Sequence, residues 1–530
     1  MRHAAVMTVG TALSRLTGFL RLTAMTATLG VTVSSLGSIY TVANLTPNIV
    51  YELILGGILT SVFVPVFVER LETHGAADAR DVANRIITLV LVILVIVAAL
   101  GALFAEQIIR LYLVSSDDVD RDAQIQLGVF FLRWFMPQVV FYGVGAVATG
   151  LLQAHRRFAA PMFAPVLNNL VVIGTFIAYA IVRGSRSPTV EGITDAERTI
   201  LAIGTTLGVV TMTVALWPSL RSIGYRIWLR TGWRHEAVRQ LVRLAAWVAV
   251  YVAANQLSYI VVIVLNNRFD AGPQIYTTAF IVFQLPHAIF AVSIFTALLP
   301  GMSERWATGR PEGVRELVSR GLRDTAVVTI PAALGLFALA EPVARVLFEH
   351  GAAVDADAVA IGRTLQGFAA GLLFFSSFQL LTRTFYAMQD TRTPALVNVL
   401  IGCVNVGAAV LYTVPMGLGL RGMAFAHATS YLVGATVLLI LLRRRLGPID
   451  GARIAMTIGR TTLAAIASAA AALGVIALLG PPEEEGVLQQ VAVVGSAVAA
   501  GMLVFVISAL ILRVGEVDDL RKALVRRIRG

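Results

Sequence analysis

Two arginines, Arg15 and Arg21, interrupt the stretch "TALSRLTGFLRLTAMTATLG", which is otherwise apolar or small. A guanidinium at the centre of a membrane helix costs about 2.5–3.5 kcal/mol on insertion scales. Its planar fork of donors also matches phosphate oxygens, and it stays charged at every physiological pH. Two such groups in an apolar helix therefore point to an anionic ligand reached through water. In a helix starting near Ala4 they lie about 16 and 25 Å along the axis and are rotated about 120° apart. Gly18 between them offers a place to bend. Glu52 is the one carboxylate well inside an early apolar segment. It can neutralise an arginine while the site is empty and yield to phosphate, or form a static buried pair with Arg15. Arg21 can instead extend its head outward along the helix. Asn44 and Asn48 flank Pro47, a candidate helix break, and suit contacts to sugars or simple packing.

A second polar group is "QDTRTP", Gln389 to Pro394. Asp390 and Thr391 fit a helix start ahead of Pro394. Asp390 and Arg392 are candidates for a salt-bridged gate at a cytoplasmic mouth, with Arg383 lining that mouth a little deeper; a structural turn is the competing reading. Asn168, Asn169, Asn255, Gln256, Asn398 and Asn405 read as hydrogen bonds between helices. His287 and His427 have no metal-ligand spacing and read as satisfied core histidines. The single cysteine, Cys403, sits in an apolar run and reads as packing. The sequence has no phosphate-binding glycine loop after a strand, no HExxH and no hydrolytic triad pattern.

These residues must be held by membrane helices. The chain has 530 residues, 57% hydrophobic and 14% charged, against roughly 25% charged in soluble domains. The apolar matter comes in blocks such as "IITLVLVILVIVAALGALFA" and "VAVVGSAVAAGMLVFVISALIL", each long enough to cross a ~30 Å hydrocarbon layer. About fourteen spans are expected, centred near Ala12, Leu53, Ile93, Val139, Val172, Val209, Val252, Phe290, Leu334, Phe374, Gly402, Leu432, Ala467 and Val504. The fold class is thus an all-α polytopic membrane protein. Arginine-rich loops, such as those with Arg156–Arg157 and Arg443–Arg445, alternate with acidic or mixed ones such as "SSDDVDRD" and "GPPEEEG". Positive loops stay cytoplasmic, which places both termini there. The net charge of +11 is then a topology signal that also favours anionic lipid, and nucleic acid is excluded as a partner. The N-terminal apolar run, broken by Arg15, does not read as a cleavable signal. Residues 219–240 and 302–321 read as surface-lying helices. No loop is large enough for a catalytic or nucleotide-binding domain. No cofactor is expected, and any energy input would come from membrane potential or a cation gradient.

Two motifs recur. "VFVPVFVERLETHG" resembles "ALLPGMSERWATGR", with Pro65, Glu69 and Arg70 falling 235 residues before Pro300, Glu304 and Arg305. "LLQAHRRFAAP" resembles "RTFYAMQDTRTP", with Pro161 and Pro394 differing by 233. An offset of six spans preserves orientation, so the copies form a parallel repeat, as in several transporter folds. The expected division is residues 1–222 and 223–447 as two six-helix lobes, 448–514 as two added helices, and 515–530 as a basic cytoplasmic tail.

"SRLTGFLR", "VANLTPNIVYELILGGILTSVFVPVFV", "RRFAAPMFAPVLNN" and "FYAMQDTRTP" together resemble the MurJ (MviN) family, in an actinobacterial-like form. The family belongs to the multidrug, oligosaccharidyl-lipid and polysaccharide exporter superfamily. The resemblance runs from about Ser14 to the final spans. It implies two six-helix lobes in a V, two extra helices forming a hydrophobic groove, and a cationic cavity for the diphosphate-sugar head of lipid II (an undecaprenyl diphosphate-linked muropeptide). It implies flipping of that lipid across the bacterial inner membrane, with lipid II, membrane lipids and other wall-synthesis proteins as partners. Arg15 and Arg21 match the first-span motif. The chain departs from the family at Leu22, where many members are acidic, at Tyr51 and Glu52, where many have an arginine pair, and in "YTTAFIVFQLP", which lacks an arginine. The rivals are an exporter of another lipid-linked glycan or a drug, a polytopic glycosyltransferase or ligase, and a wall-synthesis scaffold.

Overall fold

The apolar blocks fold as helices, and no strand occurs among the described residues. The structure is a computed structural model that describes residues 2–31, 35–55, 75–115, 121–155, 157, 159–224, 230, 236–480 and 486–517. Each of the fourteen expected span centres falls on a described helix. Ten helices are long and apolar enough to cross a membrane, and an eleventh span results if one bent pair counts as one, among the described residues. The first copy of the proline–arginine motif, residues 62–74, lies outside them, as do parts of the charged loops.

Two compact units arise from the packing: Met1–Gln274 with His350–Val354, and Ile275–Glu349 with Asp355–Gly530. The first contains α1 (Arg2–Leu29), α2 (Leu36–Leu55), α3 (Gly75–Leu103), α4 (Ala105–Tyr112), α5 (Arg121–Phe135), α6 (Gln138–Ala154), α7 (Ala159–Arg183), α8 (Asp195–Val214), the short α9 (Trp217–Ser222) and α10 (Glu236–Asn266). α1 lies along α7, α7 along α8, and α2 packs on α5, α6 and α10. The centre of this unit is aromatic. Tyr40 on α2 meets Phe131, Phe135 and Phe176 edge-on at 5.6–5.8 Å, and its hydroxyl lies 2.7 Å from that of Thr205 on α8. Edge-to-face rings and a satisfied phenol suit a buried tyrosine.

Two expected irregularities take another form. α1 runs as one helix through Gly18. The missing side chain instead admits α7: a Cβ on Gly18 would stand 3.5 Å from the Asn169 amide nitrogen. Asn169 donates to the Ser14 carbonyl at 3.2 Å and to the Thr17 hydroxyl at 3.0 Å, the interhelical role expected of it. α2 likewise continues through Pro47. A proline removes one helical hydrogen bond, and the surrounding packing holds the rest, with the Thr46 hydroxyl bonded to the Val42 carbonyl at 2.9 Å.

The chain continues with α11 (Gly272–Pro286), whose last turns belong to the second unit, a π-helical turn at His287–Ala291 and α12 (Val292–Ala307). The second unit then holds α13 (Pro311–Ala338), α14 (Ala340–Phe348), α15 (Asp355–Ala369), α16 (Leu372–Ala387), α17 (Arg392–Thr413), α18 (Gly419–Leu446), α19 (Gly451–Leu479) and α20 (Val487–Ile511). α15 and α16 follow one another with a bend of 49° between them. Residues 302–321 do not make a separate surface helix. α12 runs on to Ala307, Gly309 turns with φ +68°, and Pro311 opens α13; glycine supplies the left-handed residue and proline the pre-set first turn. Residues 225–229 and 231–235, inside the other expected surface segment, lie outside the described residues. α19 and α20 pack on each other, and α19 also packs on α13.

His287 and His427 sit in this unit's core. His287 Nδ1 lies 2.9 Å from the Ser376 hydroxyl. His427 is buried among Phe280, Phe283, Phe368, Phe375 and Tyr431, with ring centroids 4.7–5.9 Å away. His287 is thus satisfied as expected, whereas His427 Nδ1 has no hydrogen-bond partner among the described residues.

Candidate functional site: a cavity in the first unit

A cavity of about 370 Å³ opens in the first unit between α2, α6, α7 and α8. This lies within the usual size range of small-ligand sites. Its polar lining is Asn48 and Tyr51 from α2 with Tyr142, Thr149 and Gln153 from α6. The α6 residues recur at intervals of seven and four, which puts them on one helical stripe. Gly145, Ala146 and Gly150 on the same helix keep the wall low, and Pro161, Ala164 and Pro165 close it from α7. The Tyr51 and Tyr142 rings stand 5.6 Å apart, tilted by 38°.

The charged groups stand beside this cavity. Arg21 is half-buried, and its charge acts on the hydroxyls of Tyr40 and Tyr142. The helix that carries it lies along α7, one wall of the cavity. Glu52 is half-buried and acts electrostatically on Tyr51. No ion pair joins Arg15 to Glu52, and neither Arg15 nor Arg21 has a carboxylate partner among the described residues. Arg15 is exposed and does not line the cavity; Asn44 is half-buried and also off the wall. Of the five residues named from sequence, the fold therefore puts Asn48 on the cavity wall and sets Arg21 and Glu52 beside its two tyrosines.

Four wall residues, Tyr51, Tyr142, Thr149 and Gln153, were not singled out as site residues from sequence. The signal was present in "FYGVGAVATGLLQA", where polar groups recur on one face of a helix otherwise made of small and apolar residues.

The second cluster lies in the second unit. Asp390 accepts from the Thr393 backbone N–H at 3.0 Å and the Thr393 hydroxyl at 2.8 Å, and pairs with Arg445 at 2.6 Å. Arg445 also lies 5.5 Å over the Trp306 ring. Asp390 thus caps α17 and ties its start to the ends of α18 and α12. Arg383 is half-buried, 5.8 Å from the centre of the Phe295 ring, and Arg392 is exposed at the first residue of α17. These contacts make the "QDTRTP" turn a brace within its own unit.

Burial works against the Asp390 carboxylate, but the Thr393 donors and Arg445 outweigh it and hold its carboxyl below the usual range. A carboxyl depressed in the folded state adds stability above its unfolded pKa and loses it as pH falls through the folded one. Asp390→Asn keeps an acceptor for the Thr393 N–H and loses the partly exposed pair with Arg445, so it is expected to cost about 0.5–1 kcal/mol near neutrality. Melting curves of both proteins from pH 7 to pH 3 check this: the gap should close as wild-type Asp390 protonates.

Comparison with known proteins agrees with this architecture. The sequence matches the family model described as "Lipid II flippase MurJ" over residues 25–481. The chain belongs to the MurJ family. Relatives include the probable lipid II flippase MurJ of Rhizobium meliloti (strain 1021), 27% identical over 81% of this chain and 78% of that protein. The probable lipid II flippase MurJ of Rhizobium tropici is 25% identical over 97% of this chain and 94% of its own. The lipid II flippase MurJ of Burkholderia cenocepacia is 27% identical over 83% and 84%. Among solved structures, lipid II flippase MurJ in an inward closed conformation superposes with a TM-score of 0.77 at 19% identity, over 96% of this chain and 99% of that one. An inward-facing multidrug resistance transporter of the MATE family gives 0.69 at 13% identity, over 82% and 95%. MurJ membership and the apolar helices together make this a multi-pass membrane protein of a transporter fold.

Proposed function

We propose that this MurJ-family chain flips lipid II, a lipid-linked peptidoglycan precursor, from the cytoplasmic to the outer leaflet of the bacterial inner membrane, with both termini in the cytoplasm. It is a transporter and not an enzyme. The observation that carries the reading is Arg21. It is a half-buried cation with no carboxylate partner among the described residues, on a helix that lies along α7, one wall of the polar cavity. An intramembrane charge kept without a counter-charge marks a ligand path, and a guanidinium is the side chain suited to a diphosphate. Arg15, exposed on the same helix, meets the head group as it enters. Glu52, beside Tyr51, weakens the hold on the anion and helps release it. The return of the empty protein draws on membrane potential or a cation gradient.

The experiment is depletion of the protein in cells followed by measurement of which leaflet holds lipid II. Build-up on the cytoplasmic leaflet, reversed by the wild-type chain, supports the reading. Unchanged sidedness in depleted cells refutes it.

A further inference from the structure

The cavity wall differs from what a diphosphate requires, and that difference carries an inference. Among the described residues none that lines it is ionised, and Arg21 of α1 is not part of the lining. A doubly charged anion would bury there without a counter-charge, which is unfavourable. An acyl chain would strand the polar groups of the wall, and those groups are free to bind. The side chains of Asn48, Thr149 and Gln153 make no hydrogen bond within the protein among the described residues. Thr46, Thr88, Thr175, Thr205 and Thr213 donate back to the carbonyl four residues earlier; Thr149 does not, nor do Thr41, Thr278 and Thr325, and of these four only Thr149 lines the cavity.

The backbone adds an acceptor. Pro165 stands inside α7 and has no N–H, so the Pro161 carbonyl, four residues earlier, loses its helical donor. Both prolines line the cavity. The wall therefore offers two carboxamides, a hydroxyl and a carbonyl, next to two tilted aromatic rings. Amides that both donate and accept suit vicinal hydroxyl and acetamido groups. Aromatic rings present an apolar face with a polar tip, which suits the C–H face of a sugar ring.

We propose that this cavity is a carbohydrate subsite. It takes an uncharged sugar ring of the lipid-linked substrate, while the diphosphate stays outside it at Arg21. Tyr51, Tyr142, Thr149 and Gln153 then decide which head group is carried. The proposal rests on the flippase reading and adds to it the residues that read the sugar.

The test uses the full-length protein in lipid nanodiscs and two probes, lipid II and sugarless polyprenyl diphosphate. Thr149→Val and Gln153→Met keep volume and remove hydrogen bonding; Ala146→Phe fills the cavity and leaves its polar groups in place. Each variant should weaken lipid II binding by about tenfold, the scale of one or two lost hydrogen bonds to an uncharged ligand. Binding of polyprenyl diphosphate should stay within about twofold of wild type. A parallel loss for both probes would assign the cavity to the diphosphate or the chain and overturn the proposal, as would no loss for either. If wild type binds lipid II no better than phosphatidylglycerol, the flippase reading itself fails. If wild type binds lipid II firmly but the variants match it on both probes, only the subsite fails.

Discussion

Replacing Arg21 by glutamine is expected to reduce lipid II transport by about 10- to 100-fold while leaving the fold as stable as before or more so. The two halves of this prediction come from one geometry. Arg21 is half-buried in α1 and acts on Tyr40 and Tyr142, yet no carboxylate pairs with it among the described residues. Removing it breaks no ion pair and relieves the cost of holding a charge among apolar helices. What is lost is the charge-assisted hydrogen bonding it offers a phosphate, worth about 1.5–3 kcal/mol per bond. Arg21→Lys should retain part of the activity, because it keeps the charge but loses the planar fork. Transport rate and melting temperature, measured on the same preparations, separate this from a structural role. A residue holding helices together would lose both in step.

The second large effect concerns stability alone. Arg323 on α13 pairs with Glu516, just beyond α20, and the two side chains are only 12% and 10% exposed. Thr457 on α19 donates to the same carboxylate at 3.5 Å, and Arg460 donates to the Arg513 carbonyl at 3.0 Å. These bonds fasten the end of the last span to the second unit. Glu516→Ala leaves the Arg323 guanidinium buried and unpaired, and the nearby Asp324 is already engaged by Arg320 at 3.5 Å. Breaking a buried pair from one side typically costs about 3–5 kcal/mol. Replacing both partners by methionine removes the stranded charge as well and should recover most of the loss. Melting temperatures of the single and double variants decide the matter. Equal losses in both would mean that packing, and not charge, holds this end.

The helical architecture was legible because long apolar blocks in a lipid solvent leave a backbone few alternatives. Every expected span centre found a helix, and Asp390 capped its helix as its position ahead of Pro394 implied. What sequence did not reveal was how local signals are overridden by packing. Pro47 and Gly18 look like breaks along the chain, yet α2 continues through the first and the second serves to admit Asn169. Glu52 and Arg15 are complementary in type and do not meet, because pairing depends on which way each helix is rotated. The candidate site was half-legible for the same reason. Charges in apolar segments stand out against their surroundings, so Arg21 and Glu52 were visible. Tyr142, Thr149 and Gln153 are ordinary residues in a membrane helix, and only the closing of α2, α7 and α8 around their common stripe makes them a wall.

The central claim is that Arg21 is tolerated because it borders a chamber that water fills and the head group enters. Asn48 on the wall of that chamber offers the direct measurement. In a Cys403→Ser background, Asn48→Cys is treated with a membrane-impermeant thiol reagent, with and without lipid II. The account predicts that the thiol is labelled, and that lipid II protects it while an equal amount of phosphatidylglycerol does not. A thiol that water-soluble reagent never reaches, or one that lipid II leaves fully reactive, would contradict it.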